Sequence, residues 1–320
     1  MSVLPHSVTL PVLGIPTRFE SNAPDVIEIV EEAFGIWRAL GEFEENTAEP
    51  LRVRIALVEG DEGPLAPGDH ASVCHECPDA IRVVVRSAGS LGVSDPSRRE
   101  AVAQVSAALL ADRMHFRTEM LETLTLSLLS AFDRHPVHAA AVAHEGHVLL
   151  LAAPSGTGKS TLAYACHAAG LDLMAEDHVR VQLEPALRIW GWPTRVRLLE
   201  ADAERLGAPS ARAQAHEGRE KVVVDTAVGM STARLVATRA TVCILARDGA
   251  PLAVEPLAPA DVQRALEAQL APGFDRFPAR WPEVARAITA RGGWRLNLTS
   301  DAREALPVVR DLLARAGRHA

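Results

Sequence analysis

The segment from Ala153 to Ser160 (APSGTGKS) places the tightest limit on what this chain can fold into. An apolar run, HVLLLAA, leads into it, and a segment with helical spacing follows. Gly156 and Gly158 permit backbone conformations that other residues resist, so several N–H groups can converge on one anion at a helix N-terminus. The order of strand, glycine-rich loop and helix therefore predicts a phosphate-binding loop.

The side chains of this loop predict its ligands, ATP and Mg2+. Lys159 would reach the β- and γ-phosphates, and the Ser160 hydroxyl would bind Mg2+. The motif departs from GxxxxGK[ST] only at its first position, where Ala153 replaces glycine. The residues expected to hold the nucleotide are Ala153, Pro154, Ser155, Gly156, Thr157, Gly158, Lys159, Ser160 and Thr161.

Lysine is rare in this chain. Among 33 basic residues, only Lys159 and Lys221 are lysines and the rest are arginines. One of the two stands where the loop requires a lysine, which strengthens the interpretation of the loop.

Length and composition exclude several classes of protein. A chain of 320 residues corresponds to one large domain or two ordinary ones, and 48% hydrophobic with 23% charged residues excludes wholesale disorder. The net charge of −8, without a dense basic run, argues against nucleic acid as a ligand. No apolar run approaches the roughly 18 residues that span a bilayer, and MSVLPHSVTLPVLG lacks the features of a signal peptide. We expect a cytoplasmic protein without membrane partners.

The pattern of elements predicts an α/β protein with two domains. Residues 1–130 form an accessory α/β domain, in which LRVRIALVEG and AIRVVVRSAG are strands. Helices are expected at APDVIEIVEEAFGIWRAL, at DPSRREAVAQVSAALLADRMHF and at TEMLETLTLSLLSAFDRH, which stops at His135 before Pro136. Residues 131–320 form the domain that carries the loop.

A histidine is predicted to flank the loop. VHAAAV and HVLLLAAP are apolar strands on either side of AHEG, which indicates a hairpin. If Glu145 and Gly146 form its turn, the residue numbers of cross-strand partners add up to 291. This register places His138 opposite Ala153. The alternative is a strand histidine whose ring is satisfied by a backbone carbonyl.

Two consecutive acids are predicted to reach the loop from another strand. A helix from Ser160 to Ala169 rises about 15 Å, which a return strand regains in about five residues. Starting at Leu171, the chain is level with the loop at Glu176 or Asp177. Carboxylates set into an apolar strand are costly unless they bind metal or accept protons. The alternative is a turn that faces water.

Cys74 and Cys77 form a CxxC motif with His70 and His75 nearby. These four residues are enough ligands for zinc on paper, but no second cysteine pair follows. We expect a loop with two reduced thiols and no metal.

The residues from about Pro136 to Val181 resemble the catalytic domain of the HPr kinase/phosphorylase family. The resemblance rests on the histidine in VHAAAV, on SGTGKS, and on the acidic pair in GLDLMAEDHV, where the family has two aspartates. It implies an α/β fold like that of phosphoenolpyruvate carboxykinase, with ATP on the loop and phosphoryl transfer to a serine hydroxyl. Carried over, Lys159 holds phosphates, Asp177 takes the hydroxyl proton, and His138 is the active-site histidine.

The family's metal ligands and arginine are matched only in part. Ser160 and Glu176 are expected to bind Mg2+, and Glu200 in RVRLLEADAERLG stands at about the distance of the family's glutamate in E-[IV]-R-G. The Arg-Gly that should follow Glu200 is missing. This departure weakens the inference from the family to a protein substrate and to a reverse phosphorylase activity. Arg239 is the counterpart implied for a family arginine near a later strand.

Three function classes follow from these residues. The leading hypothesis is an ATP- and Mg2+-dependent kinase whose acceptor is a serine of a protein or small peptide, or else an amino acid or metabolite. A P-loop ATPase or GTPase and a nucleotide-binding module without turnover are the alternatives. The accessory domain is expected to recognise the acceptor, and the chain is compatible with a homo-oligomer.

Overall fold

The computed structural model of the chain describes residues 4–40, 49–58, 70–76, 81–208, 212–216, 219–226, 234–270 and 279–318. Its internal contacts divide the chain into two compact units, residues 1–134 and residues 135–320. Both units mix helices with β-sheets. Within the described residues, no helix has the length and hydrophobicity needed to cross a bilayer.

The described residues of the first unit form one seven-stranded sheet with helices. Its strands are β1 (His6–Val12), β2 (Ile15–Ser21), β3 (Leu51–Val58), β4 (His70–Glu76), β5 (Ile81–Ser87), β6 (Ser90–Asp95) and β7 (Glu100–Ser106). Its helices are α1 (Pro24–Phe34), α2 (Ala107–Ala111), α3 (Arg113–His115) and α4 (Thr123–Ser130), with 3-10 turns at Gly35–Leu40 and Pro96–Arg98 and a π-helical stretch at Phe116–Glu122. The strand order is β1-β2-β3-β7-β6-β5-β4.

Aromatic packing and one glycine show how the helices cover this sheet. Phe19, Phe34 and Trp37 are fully buried and stack in series, with ring centroids 5.3 and 6.1 Å apart. At Gly92 in β6, a Cβ atom would lie only 2.5 Å from the Leu124 side chain of α4. The helix therefore crosses the strand too closely for any side chain at that position.

The structure confirms the strands expected at β3 and β5 and the helix expected at α1. The helix predicted across residues 95–116 is wrong over its first half, because Glu100–Ser106 is strand β7. Ala101, Ala103 and Val105 face the core alternately, and β7 pairs in parallel with β3 and antiparallel with β6. Two neighbouring strands thus override the helical tendency of an alanine-rich segment. The next helical segment ends at Ser130, not at His135.

The described residues of the second unit form three sheets. Its strands are β8 (His135–His138), β9 (Ala140–His144), β10 (His147–Ala152), β11 (Asp172–Ala175), β12 (His178–Gln182), β13 (Arg188–Trp190), β14 (Arg195–Leu199), β15 (Arg212–His216), β16 (Arg219–Asp225), β17 (Val236–Ala237), β18 (Arg239–Ala246), β19 (Ala253–Leu257) and β20 (Gly293–Asn297). Its helices are α5 (Lys159–Ala168), α6 (Glu200–Arg205), α7 (Pro259–Glu267), α8 (Trp281–Thr289) and α9 (Leu306–Arg318), the last preceded by a 3-10 turn at Ala302–Ala305. In the described residues the sheets are β11-β9-β10-β18-β20-β19, β17-β13-β12-β8 and β14-β16-β15.

Strand β10 lies inside the six-stranded sheet and is buried on both faces. Leu149 and Leu151 pack into the apolar cluster that contains α5 and α9, whereas Val148 and Leu150 pack into the cluster on the other face, with α8. Burial on both faces explains why HVLLLA is a continuous apolar run. The loop that follows β10 is therefore anchored to a rigid strand.

The predicted hairpin register is confirmed as far as Ala140. His147 pairs with His144 and Leu151 pairs with Ala140, so the paired positions sum to 291 as expected. Glu145 and Gly146 form the turn with φ angles of 49° and 75°. The register does not extend to His138, because the N–H of Ala139 bonds the carbonyl of Val137 and β8 leaves for another sheet. His138 pairs with His178, and its expected pairing with Ala153 is wrong.

The chain crosses between the same two sheets a second time at the acidic pair. The long strand expected over LDLMAEDHVRVQLE, with a bend near Glu176, is two strands that break there, β11 in the six-stranded sheet and β12 in the four-stranded sheet. Glu176 and Asp177 form the break between them. We call the two crossings, His138–Ala139 and Glu176–Asp177, the sheet junction.

The burial of His147 predicts a loss of stability in mild acid. Burial, with smaller contributions from the positive charges of Arg239 and Arg291, lowers the pKa of His147 from 6.5 to about 4. The ring is 3% exposed, and its Nε2 lies 3.0 Å from the Thr241 hydroxyl. In the unfolded chain this histidine takes a proton near its ordinary pKa, so stability falls as the pH drops from about 6.5 to about 4, by up to about 3 kcal/mol.

Urea unfolding of wild type, His147→Gln and His144→Gln between about pH 7.5 and about pH 4.5 checks this. His147→Gln should flatten the pH dependence. His144 is exposed on the facing strand, and its substitution should leave the dependence as it is. A wild-type profile that His147→Gln does not change would refute the assignment.

Candidate functional site

A pocket of about 730 Å³ lies at the end of β10. Its volume is in the range of small-molecule and cofactor sites. It is lined by His138, Pro154, Ser155, Gly156, Thr157, Gly158, Lys159, Ser160, Thr161, Glu176, Asp177, Arg197, Leu199, Asp202, Lys221 and Arg247. The structure thus brings together the residues singled out from the sequence as binding or catalytic, except Ala153, Glu200 and Arg239, which do not line the pocket.

The loop has the backbone shape that its glycines predict. Gly156 and Gly158 have φ angles of 82° and 114°, and α5 begins directly afterwards at Lys159. The Lys159 side chain is 7% exposed, and its ammonium group donates to the carbonyl of Ala153 at 2.7 Å. Since the first N–H groups of a helix have no intrahelical acceptor, the N-terminal end of α5 offers them to an anion in the pocket.

Glu176 is bound from two sides. Its Oε1 accepts a hydrogen bond from the Ser160 hydroxyl at 3.0 Å, and its Oε2 accepts one from Nε of Arg197 at 3.1 Å. The residue is only 9% exposed, so the guanidinium of Arg197 offsets a charge that would otherwise be costly to bury. The return strand therefore reaches the level of the loop at Glu176, as the length of α5 predicts.

The pair Ser160 and Glu176 suits a magnesium ion. Hydroxyl and carboxylate oxygens are ligands of Mg2+, and the two oxygens lie 3.0 Å apart. Neighbouring oxygens of an octahedron, each about 2.1 Å from the metal, have about this separation. No group of three or more His, Cys, Asp and Glu in the described part of the chain is arranged to hold a metal. The remaining ligands would have to come from phosphate oxygens and water.

Asp177 lies between two imidazoles. Its Oδ1 is 2.9 Å from Nε2 of His138, and its Oδ2 is 3.2 Å from Nδ1 of His178. The two rings stack with centroids 4.8 Å apart. Burial alone would raise the pKa of the Asp177 carboxyl, but the hydrogen bonds and charges of the two histidines outweigh it and hold that pKa well below its ordinary value. Asp177 is therefore an ionised acceptor at neutral pH.

Helix α6 brings an acid to the pocket, but not the one expected. Glu200 is exposed at the start of α6 and does not line the pocket. Asp202, two residues later, does line it and accepts a hydrogen bond from the Thr161 hydroxyl at 2.9 Å. Arg205 forms an ion pair with the same carboxylate.

An arginine at the end of β18 stands over the loop. A Cβ atom at Gly158 would lie 2.9 Å from Nη2 of Arg247, so the guanidinium approaches the loop where only glycine leaves room. Arg239, the counterpart implied by the family resemblance, lies at the other end of β18. At about 3.3 Å per residue, eight positions separate the two arginines by about 26 Å. Of these two arginines, Arg247 therefore lies at the pocket and Arg239 does not.

Sequence reasoning missed several pocket residues. For some of them, the sequence contains a feature that could have placed them at the pocket. Because β10 and β18 are parallel neighbours, the residue after ATVCILA had to come out beside the loop, and that residue is Arg247. The alternation in RVRLL places Arg197 opposite the buried Val196 and Leu198. His178 had no signal beyond standing next to Asp177.

The CxxC prediction lies largely outside what the structure describes. Cys77 falls in an undescribed segment, and for Cys74, His70 and His75 only the backbone of β4 is described. The expectation of no metal there stays a prediction.

Comparisons with protein-family models and with curated proteins gave no match. The solved structure titled "Structure of the Hpr(Ser) kinase/phosphatase from Coxiella burnetii" is similar to 58% of this chain and to 97% of its own, with 11% sequence identity and a TM-score of 0.32. At this TM-score and identity the similarity is distant, and the function proposed below rests on the geometry of the pocket.

The buried carboxylate of Glu176 predicts a double-mutant signature. Arg197→Met leaves the charge without its guanidinium partner and should lower the free energy of unfolding of the second unit by about 1–3 kcal/mol. Adding Glu176→Gln to that variant removes the charge and should restore part of the loss. Arg264→Met breaks an exposed ion pair with Asp261 on α7 and should cost less than about 1 kcal/mol.

Urea denaturation at neutral pH measures all four proteins. Equal losses for Arg197→Met and Arg264→Met would show that Glu176 does not depend on Arg197.

Proposed function

We propose that the second unit is an ATP- and Mg2+-dependent kinase that transfers the γ-phosphoryl group to the hydroxyl of a serine in a protein or peptide. The observation that carries the proposal is the division of labour between two consecutive carboxylates. Glu176 joins the Ser160 hydroxyl, whereas Asp177 joins two histidines and still lines the same pocket. A phosphate loop, a metal-ligating carboxylate and a separate proton acceptor are the parts that a hydroxyl kinase needs.

The proposed phosphate contacts come from three elements. The N–H groups at the start of α5, together with Lys159, would hold the β- and γ-phosphates. Arg247, close to Gly158, would add positive charge at the loop. Ser160 and Glu176 would hold Mg2+, which supplies charge neutralisation of the transferring phosphoryl group when bound.

Asp177 is the proposed proton acceptor. As the acceptor oxygen forms its bond to the γ-phosphorus, the bond from that phosphorus to the β,γ-bridging oxygen breaks and ADP leaves, while the hydroxyl proton passes to the carboxylate. Because the pKa of Asp177 is held low, the residue serves as an ionised group that positions the hydroxyl and takes its proton late in the transfer. His138 and His178 fix the orientation of the carboxylate.

Three finer assignments belong to the same proposal. The fold of the second unit would be of the phosphoenolpyruvate carboxykinase type, as in the HPr kinase family that the motifs resemble. The first unit would help to recognise the acceptor, and the protein would act in the cytoplasm. A kinase for an amino acid or metabolite has the same pocket chemistry, and a nucleotide-binding or ATPase module without an acceptor is the remaining alternative.

Lys159→Met is expected to abolish binding of Mg-ATP that isothermal calorimetry detects for the wild type. The side chain keeps most of its length but loses the charge that would meet the phosphates, and with it the hydrogen bond to the Ala153 carbonyl. Arg286→Met removes an exposed positive charge from α8, outside the pocket, and should bind Mg-ATP as the wild type does. Equal affinity of Lys159→Met and wild type would remove the basis of the proposal.

Asp177→Asn and Glu176→Gln are expected to fail in different ways. Asp177→Asn should keep Mg-ATP affinity and lower transfer of labelled phosphate to serine peptides, proteins or amino acids by about 10²- to 10⁴-fold. Glu176→Gln should weaken binding of Mg-ATP more than binding of ATP without metal, since it removes a metal ligand.

The assay also separates the alternatives. If the wild type binds Mg-ATP and hydrolyses it with no acceptor from any class, the ATPase alternative holds; if it binds without turnover, the protein is a nucleotide-binding module. Near-normal transfer by Asp177→Asn would exclude it as the proton acceptor.

A further inference from the structure

Both lysines of this chain line the same pocket. Lys159 belongs to the loop, and Lys221 lies on β16, more than sixty positions later in the sequence. Arginine fills the other basic positions, including two in the pocket, Arg197 and Arg247. A lysine ammonium is a compact point charge on a flexible stem, and it binds phosphates and carboxylates without the fixed fork geometry of arginine. The function of Lys159 is accounted for by the loop, whereas that of Lys221 is not.

One face of the sheet that carries Lys221 is packed in the apolar core, and the other face carries charged side chains of the pocket. Val196 and Leu198 of β14 and Val224 of β16 are buried in the apolar cluster that includes α5. Since side chains alternate along a strand, the opposite face of these strands presents other residues. Leu199 pairs with Lys221 across the sheet, and both line the pocket together with Arg197. Lys221 is therefore held by a packed sheet that faces the pocket.

The other charges on this side of the pocket already have partners. Arg197 binds Glu176, and Asp202 binds Thr161 and Arg205. Within the part of the chain that the structure describes, no residue makes a hydrogen bond or an ion pair with Lys221. The phosphates of the nucleotide have the loop with Lys159, and Arg247 stands beside Gly158. A further cation on a separate sheet thus fits a second anionic group in the pocket.

We propose that Lys221 binds an anionic group, a carboxylate or a phosphate monoester, on the molecule that accepts the phosphoryl group. This inference rests on the proposed kinase function and adds the class of acceptor to it. Lys221 is a specificity-determining residue, because its ammonium attracts an acceptor that carries negative charge near the reacting hydroxyl and gains nothing from a neutral one. Asp177 takes the proton of the reacting hydroxyl, and the Lys221 ammonium binds the anionic group elsewhere on the same molecule.

The scarcity of lysine makes a direct experiment available. Protein made with ε-13C-lysine has two labelled side chains, both on the pocket, and Lys221→Arg assigns the two signals by removing one. Saturating Mg2+ with the non-hydrolysable ATP analogue AMPPNP should shift the Lys159 signal more than the Lys221 signal. Adding glycerol 3-phosphate or glycerate to this complex should then shift Lys221, and adding glycerol, which has hydroxyls and no charge, should not.

Variants connect the signal to binding. Lys221→Met should weaken glycerol 3-phosphate binding to the AMPPNP complex by about tenfold or more, as expected for losing a hydrogen bond to a charged group, and should leave AMPPNP affinity unchanged. Lys221→Arg keeps the charge and should retain most of the binding. Arg286→Met, which removes an exposed positive charge elsewhere, should behave as the wild type.

The outcomes separate this inference from the function on which it rests. If AMPPNP shifts neither lysine, the nucleotide site itself is refuted. If AMPPNP shifts Lys159 while neither anion moves Lys221 at the highest soluble concentration, only the acceptor assignment is overturned. It is also overturned if AMPPNP alone shifts Lys221 as much as Lys159 and Lys221→Met weakens AMPPNP binding, since Lys221 then belongs to the nucleotide.

Discussion

The burial of the Glu176 carboxylate is the constraint around which the second unit is arranged. A charge with so little access to water is tolerable only when hydrogen-bond donors surround it. The donors are the Ser160 hydroxyl and the Arg197 guanidinium, so the loop, the end of β11 and strand β14 must meet at one point. The length of α5 and the apolar packing of the small β14-β16-β15 sheet bring these donors to the same point, where they satisfy this one group.

The neighbouring Asp177 has a different environment, although the two acids are consecutive in the sequence. In an extended chain consecutive side chains point to opposite sides, and the break between β11 and β12 lets one carboxylate face the loop while the other faces the histidines. One carboxylate is thus committed to a hydroxyl and a guanidinium, and the other to two imidazoles. The proposed division of roles needs two carboxylates that are adjacent in the sequence but have different hydrogen-bond partners.

Much of the candidate site could be predicted from the sequence because its geometry is local. The loop, the hairpin register from Leu151 to Ala140 and the level at which Glu176 returns depend only on rise per residue and side-chain alternation. Prediction failed where pairing with strands distant in the sequence determines the local structure. Strand β7 was mistaken for a helix because alanine and alternating valine suit either state until β3 and β6 pair with it. Arg247 was missed because its place depends on β18 lying parallel to β10.

Because the sheet junction divides the site between two sheets, the parts of the site would be lost at different stages if those sheets unfolded separately. His138 and Asp177 stand on the four-stranded sheet's side of the crossings, whereas the loop and the end of β11 belong with the six-stranded sheet. A partly unfolded state that kept the six-stranded sheet and the β14-β16-β15 sheet would retain the loop beside Glu176 but would lose the histidine pair and the orientation of Asp177. If that state forms under rising denaturant, the proposed nucleotide binding would outlast the proposed transfer, because the loop would keep its geometry after Asp177 had lost its histidine partners.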